Sequence, residues 1–206
     1  MTTNAEKFIK FCESEFGKKV LEKETEYIYK ELKGCQRILD VGCGIGQFEQ
    51  KLRSLSITGL DNSEEMLEEA RRRSNKTFIL GDAENLPFDN ASFDAVFYVA
   101  TLEFVNNYQK AIKEAVRVLE PEGKLIVMML NPESDYFNEH FKKKDSYFRK
   151  VKHTNLKEII DYITKYYHIT KEEYFLGIKG KEVFGTSGKK YASLYIIVGA
   201  MDNSVV

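Results

Sequence analysis

Residues 38–48 read ILDVGCGIGQF, an apolar run that passes Asp40 and enters a turn holding Gly42, Gly44 and Gly46. Glycine lacks a Cβ atom, so such a turn can be tight, and a flat, polar ligand can lie against its backbone at the start of the next helix. Asp61, 19 positions after Gly42, ends the following apolar run. A carboxylate at that tip can accept both hydroxyls of a ribose. A dinucleotide fingerprint needs G-x-G-x-x-G, whereas this turn reads G-x-G-x-G and then Gln47. Two plainer readings stand beside these: a glycine turn that only packs a strand on a helix, and an Asp-Asn-Ser-Glu-Glu stretch that only caps one.

The spacing and the acid at Asp40 resemble motif I of the class I S-adenosylmethionine (SAM)-dependent methyltransferases, and motifs carry the resemblance through residues 37–130. Element order carries it through the remainder. The resemblance implies that Asp61 is the ribose ligand with Asn62 beside the base. It makes Asp82 the acceptor for the adenine exocyclic amine, with the Ala83 N–H facing ring N1, and Cys43 a small residue packed beside the cofactor. Asp40, Gly42, Gly44 and Val99 complete the implied cofactor set. Asn85-Leu86-Pro87-Phe88, closed by Phe93-Asp94, is typical of the type 11 subgroup, which includes many small-molecule methyltransferases. Relatives that methylate DNA bases or glutamine carry the Asn of N-P-P-Y where this chain has Val99 in V-A-T-L, which argues against those substrates.

The implied activity is in-line methyl transfer from SAM, leaving S-adenosylhomocysteine, to a small organic or metabolite acceptor without a metal. Such chemistry depends on placing a nucleophile behind the methyl carbon in a desolvated pocket, and needs a general base only if the attacking atom carries a proton. A protein side chain is the alternative acceptor, and a non-catalytic SAM-binding partner or sensor is a further reading. A nicotinamide oxidoreductase shares the strand, turn and ribose acid, but the glycine spacing and the Gly81-Asp82-Ala83 turn count against it. In the family, the N-terminal helices and an insertion after the fifth strand cover the methyl group. Here the insertion presents Tyr136, Phe137, His140, Phe141, Tyr147 and Phe148, of which Tyr136 and His140 are the catalytic candidates. Lys142, Lys143, Lys144, Arg149, Lys150 and Lys152 interleave there with Glu133, Asp135, Glu139 and Asp145, as a solvated face or a docking surface. Tyr98 is expected in the core and Glu103 at the rim.

The elements that must hold these residues alternate. Apolar runs at 37–41, 56–60, 76–80, 93–99 and 123–130 have apolar residues on both faces, as strands buried between helix layers do. Helical patterns at 47–55, 64–73 and 107–119 separate them, which predicts parallel strands with right-handed crossovers. Pro121 is expected to stop the last of these helices and Gly123 to turn the chain. Helices at 5–16 and 18–32 open the chain, punctuated by Gly17 and Gly34. A helix over 155–166 and two strands, 168–178 and 191–200, close it, joined by a loop at 177–190. The resemblance implies a Rossmann-like three-layer α/β sandwich, its seven-stranded, mostly parallel sheet ending in an antiparallel hairpin. The expected division is one methyltransferase domain over 1–206: a helical cap at 1–34, a SAM-binding core at 35–130, a substrate cover at 131–153 and a C-terminal helix and hairpin at 154–206.

Composition narrows the function from outside. The 206 residues carry 31 basic and 32 acidic side chains, a balance without the basic excess that charge-driven nucleic-acid binding needs. At 43% hydrophobic the chain has material for a core. No apolar run approaches the ~20 residues that cross a bilayer, and residues 1–16 show no secretory pattern, so the expected compartment is the cytoplasm. Cys12, Cys35 and Cys43 form no C-x-x-C pair, and His140, His153 and His168 have no metal-ligand spacing, so no metal site is expected. Nothing in the sequence sets the oligomeric state.

Overall fold

The computed structural model describes residues 4–202. Eight strands form one sheet: β1 (Ile38–Val41), β2 (Ile57–Asp61), β3 (Thr77–Leu80), β4 (Phe93–Val99), β5 (Leu119–Leu130), β6 (Tyr167–Lys179), β7 (Glu182–Phe184) and β8 (Ala192–Met201). Their order is β3-β2-β1-β4-β5-β8-β6-β7. The first five are parallel, and β8 pairs antiparallel with both β5 and β6. The seven-stranded expectation is corrected by β7, three residues inside the expected 177–190 loop that pair with Gly177, Ile178 and Lys179. So short a run has no readable periodicity.

Alternation across the sheet explains the all-apolar runs. Leu39, Val41, Val96, Tyr98, Leu125 and Val127 point to one face, where they meet Ala111, Ile112 and Ala115 of α5 (Tyr108–Val118) and Ile159 and Ile163 of α7 (Leu156–Ile163). Ile38, Ala95, Phe97, Ile126 and Met128 point to the other, under Val20, Ile28 and Leu32 of α2 (Glu15–Leu32) and Phe48 of α3 (Gln47–Lys51). Helix α4 (Glu64–Arg73) starts at Ser63, whose hydroxyl accepts from the Met66 N–H, and packs Leu67 and Ala70 on Cys43 and Phe78. Burying Phe97 or Tyr98 in this way stabilises the fold by roughly 1.5–3 kcal/mol each.

Three local expectations are corrected. The break between α1 (Asn4–Glu13) and α2 falls at Ser14, which caps α2, and Gly17 lies inside α2. A Cβ on Gly17 would sit 1.9 Å from the Phe11 carbonyl oxygen, so the glycine permits the two helices to cross closely. Helix α3 spans only five residues rather than continuing to 55. After α5 the chain enters β5 at once, with Glu120–Gly123 bulged out between the Phe93↔Leu119 and Ala95↔Lys124 pairs, and the left-handed residue there is Glu122 (φ 64°), not Gly123.

The strand order reverses direction between β1 and β4, and the C-terminal ends of both open on the same side. That switch point is where doubly wound sheets place ligands.

Candidate cofactor and acceptor site

Beyond Val41 the backbone turns left-handed at Gly42 (φ 83°) and Gly44 (φ 54°), which L side chains rarely adopt. The two glycines differ in their surroundings. A Cβ on Gly42 would lie 2.3 Å from Thr101 Oγ1, so close packing against the loop after β4 accounts for it. Gly44 faces open space apart from the Phe8 ring of α1, 3.5 Å from the position of a Cβ. Packing of strand on helix therefore does not account for Gly44.

Four of the turn's amides are already spent. Gly42 and Cys43 donate to the Leu60 carbonyl at 2.7 and 3.0 Å, Gly46 donates to Cys43 at 3.0 Å, and Gly44 donates to Asp61 Oδ2 at 2.8 Å. Asp61 Oδ1 accepts from Ser63 at 2.9 Å, while the capping of α4 is done by Ser63 itself. Burial raises the Asp61 carboxyl above its ordinary range, partly countered by the N–H groups of Gly44, Ser63 and Asn62. Each Asp61 oxygen keeps a second lone pair for a ligand hydroxyl.

The sequence-predicted residues lie at or just beyond the C-terminal ends of β1, β2, β3 and β4. Asn62 is exposed beside Asp61, and Val99 is half-buried at the end of β4. At the end of β3, Asp82 is exposed and uses Oδ1 to accept from Glu84 at 2.9 Å, next to the buried Ala83. The Cys43 side chain packs inward on Phe78 and α4, and burial pushes its thiol up.

Asp40 is almost fully buried below the turn, 1% exposed, against Glu49 of α3, which is 0% exposed. Burial pushes both carboxyls up, Asp40 further by the neighbouring Glu49 charge and Glu49 to about 7. Asp40 Oδ2 and both Glu49 oxygens have no hydrogen-bond partner among the described residues. Gly59 makes this possible, since a Cβ there would stand 2.9 Å from Glu49 Oε1. Sequence reasoning missed Glu49 because a five-residue helix shows no periodicity to mark its buried face. An orphaned, buried Asp40 oxygen beneath an open Gly44 fits a ligand that brings a positive group and hydroxyls to the turn.

A run of aromatic rings begins at Phe8, beside Gly44. Phe8 stacks on Phe11 (6.4 Å between centroids), Phe11 meets Phe16 (6.0 Å), and Phe16 meets Tyr136 of α6 (Asp135–Phe141; 6.1 Å). Tyr136 continues to His140 (4.3 Å) and Phe148 (5.8 Å), so the N-terminal helices and the insertion form one wall. Phe137 is buried, stacked on Phe141, which is exposed. Burial pushes the Tyr136 hydroxyl up to about 12, which disfavours it as a base. His140 Nδ1 donates to the Tyr136 carbonyl at 2.9 Å, which leaves Nε2 as the acceptor of the neutral ring.

Glu103 is a correction. It is 1% exposed rather than on the rim: Oε1 accepts from the Leu130 N–H at 2.8 Å and Oε2 has no partner among the described residues. Burial pushes it up to about 7, against the pull of the N–H groups of Leu130, Glu103 and Thr101. Its carbonyl takes the N–H groups of Lys152 (2.8 Å) and His153 (3.2 Å), which fastens the insertion to the loop after β4. Tyr147, half exposed, lies tilted against Phe104 with 4.6 Å between ring centroids. Tyr98 is core, its hydroxyl donating to the Ala111 carbonyl at 3.2 Å. Among the basic residues of the insertion, Arg149 donates to the Phe141 carbonyl and Lys152 to Asn106.

A family model described as a methyltransferase domain matches residues 39–127. An uncharacterized protein of Methanocaldococcus jannaschii is 34% identical over 176 residues, 80% of this chain and 69% of that protein. The demethylmenaquinone methyltransferase of Thermotoga maritima is 37% identical over 102 residues, 47% of this chain, and the match spans only 44% of that enzyme. The crystal structure of a SAM-dependent methyltransferase from Thermotoga maritima, a possible histamine N-methyltransferase, superposes with a TM-score of 0.74 at 27% identity, covering 88% of this chain and 89% of that one. Motif, sheet order and relatives agree, and the chain belongs to the class I SAM-dependent methyltransferases of the type 11 subgroup.

Proposed function

We propose that the protein transfers a methyl group from SAM to a small organic acceptor by in-line displacement, without a metal, with Asp40, Gly42, Cys43, Gly44, Asp61, Asn62, Asp82, Ala83 and Val99 forming the cofactor site. The observation that carries this is electrostatic. The amides of Gly42, Cys43, Gly44 and Gly46 are spent within the protein, and Asp40, Glu49 and Asp61 surround the turn. A pyrophosphate needs free N–H donors and a positive field, so this turn is hostile to a dinucleotide. It suits a ligand whose charged end is cationic and whose ribose offers hydroxyls to Asp61.

When bound, SAM supplies a methyl group already activated by its sulfonium. The chain's part is placement. Asp61 accepts the ribose hydroxyls while Gly44 holds it in position; the Asp82 turn sets the adenine; the end of β4 and the aromatic wall exclude water and align the acceptor. No group of three or more His, Cys, Asp or Glu side chains among the described residues is arranged to hold a metal ion. His140 Nε2 is the group in the wall able to take a proton from an acceptor that must lose one.

The same reading divides the chain into a cap at 1–34, a core at 35–130, a cover at 131–153 and a C-terminal unit at 154–206, working in the cytoplasm on a small molecule rather than on nucleic acid. No helix among the described residues is long and apolar enough to cross a membrane. Titration calorimetry with SAM, S-adenosylhomocysteine and NAD tests the cofactor, and mass spectrometry of a metabolite extract incubated with isotopically labelled SAM tests the transfer. Binding of NAD with no heat from either sulfur nucleoside overturns the proposal.

A further inference from the structure

The insertion leaves the sheet at the end of β5 and returns beside the loop after β4, and both of its ends meet Glu103. At the exit, pairing between β4 and β5 stops at Val99↔Met128, beyond which the Ala100 N–H donates to the Met128 carbonyl at 2.8 Å. The Leu130 N–H has no β4 backbone to meet, and Glu103 Oε1 accepts it at 2.8 Å in place of a strand. At the return, the Glu103 carbonyl accepts from the N–H groups of Lys152 at 2.8 Å and His153 at 3.2 Å. Neighbours in the same loop reinforce the return: Asn106 Oδ1 accepts from Lys152 Nζ at 2.6 Å, the Val105 carbonyl accepts from His153 Nε2 at 3.0 Å, and the Phe104 ring lies against Tyr147.

The loop that carries Glu103 is itself tied to the glycine turn. Ala100 enters it left-handed (φ 48°), a conformation that an L residue holds only where its surroundings impose it. Thr101 packs so closely on the turn that a Cβ at Gly42 would stand 2.3 Å from its Oγ1, and that hydroxyl donates to the Val99 carbonyl at 3.0 Å. The Phe104 N–H closes the loop on the Thr101 carbonyl at 2.9 Å. A carboxyl 1% exposed, with Oε2 unpartnered among the described residues, costs a fold stability, and packing alone would favour an apolar residue there. We propose that Glu103 is a positioning residue for the acceptor: it fixes both ends of residues 131–153 and joins that segment to the cofactor turn. This rests on the methyltransferase reading above, in which the segment covers the acceptor, and adds how the cover is held. Tyr136 and His140 are carried between the two fixed ends, so Glu103 sets where they stand relative to the tip of β4. Its side chain anchors the loop to β5, and the anchored loop aims the carbonyl that holds Lys152 and His153. No proton or methyl group passes through it.

The test is hydrogen exchange read by mass spectrometry on the full chain, comparing the parent with Glu103→Asp and Glu103→Gln, each with and without S-adenosylhomocysteine. Asp keeps the charge but is a methylene too short for the Leu130 N–H, whereas Gln loses the charge and keeps an oxygen that can accept it. Glu103→Asp should speed exchange about tenfold over residues 101–107 and 142–153 while leaving β1 and β2 unchanged. Glu103→Gln should stay within about twofold of the parent throughout. S-adenosylhomocysteine should slow exchange over 142–153 by about threefold or more in the parent and in Glu103→Gln, and not in Glu103→Asp. Exchange in Glu103→Asp that matches the parent, or that rises equally in β1 and β2, overturns the assignment. So does a Glu103→Gln protein with a loosened cover, which decides the matter even if the Asp variant does not fold. A bound nucleoside that leaves exchange over 142–153 in the parent unchanged overturns the link to the cofactor turn. Failure of S-adenosylhomocysteine to bind at all, read by calorimetry, overturns instead the cofactor reading, and the ligand-free comparison still judges Glu103.

Discussion

The Gly44 N–H donates to Asp61 Oδ2 across 2.8 Å, joining the turn after β1 to the tip of β2. One carboxylate thereby holds the shape of the glycine turn. The ribose contact proposed above falls on the same group, so the variants of Asp61 should report on both roles.

Asp61→Ala removes the acceptor of two backbone N–H groups as well as the ribose partner. It should weaken SAM binding by about 1–3 kcal/mol and also lower stability by ~1–2 kcal/mol. Calorimetric titration read beside chemical denaturation checks both. Loss of stability with unchanged SAM affinity would show that Asp61 serves the turn alone.

Gly42 and Gly44 should part company on substitution. Gly42→Ala drives a Cβ into Thr101 Oγ1, so folding suffers first. Gly44→Ala meets only the Phe8 ring at an ordinary contact distance, and its cost to stability is the backbone strain of about 1–2 kcal/mol. Its larger expected effect is on S-adenosylhomocysteine affinity, because the new methyl group stands on the open face. Thermal melts with and without the nucleoside separate the two.

Stability should fall as pH rises from acid to neutral. Glu103 and Glu49 keep their protons to about 7 and Glu24 to about 8, and Asp40 is raised as well, because burial disfavours the charge. The unfolded chain releases those protons near pH 4–4.5, so across that window the native state binds more protons than the unfolded one, and ∂ΔG/∂pH of unfolding is negative. The arginine-held Glu114 has the opposite sign, acting only below its unfolded value. A thermal midpoint higher at about pH 5.5 than at about pH 8 is expected, with Glu103→Gln, which can still accept from Leu130, flattening the slope. A flat profile in the parent protein would contradict the burial of these acids.

Tyr136→Ala should open the wall between cap and insertion while leaving the glycine turn intact. Turnover of an identified acceptor is expected to drop by about tenfold or more, with S-adenosylhomocysteine affinity within about twofold. Tyr136→Phe keeps the ring and should retain most of the turnover, since a hydroxyl held near 12 does not serve as the base. Steady-state kinetics on the pair distinguishes packing from proton transfer.

The glycine turn and the acid at the tip of β2 were legible because their chemistry is local in the chain. Gly42, Gly44 and Asp61 lie at strand ends, where backbone stereochemistry restricts the residue type, and the strands announce themselves by apolar residues on both faces. Element order followed from the same rhythm, down to the antiparallel partnership of β6 with β8. What the sequence could not reveal is which charged groups lose their water. Glu24, Glu49 and Glu103 look like any other acids among the 32 acidic residues, yet each is buried in the fold, Glu49 against Asp40 and Gly59 and Glu103 at the end of β5. Likewise Gly17 reads as a helix break until the Phe11 carbonyl is seen against it, and Glu122 takes the left-handed turn beside a glycine that does not. Residue type fixes a group's intrinsic charge and the backbone shapes open to it, so motifs survive in one dimension. Burial depends on which segments meet, and only the tertiary structure decides that.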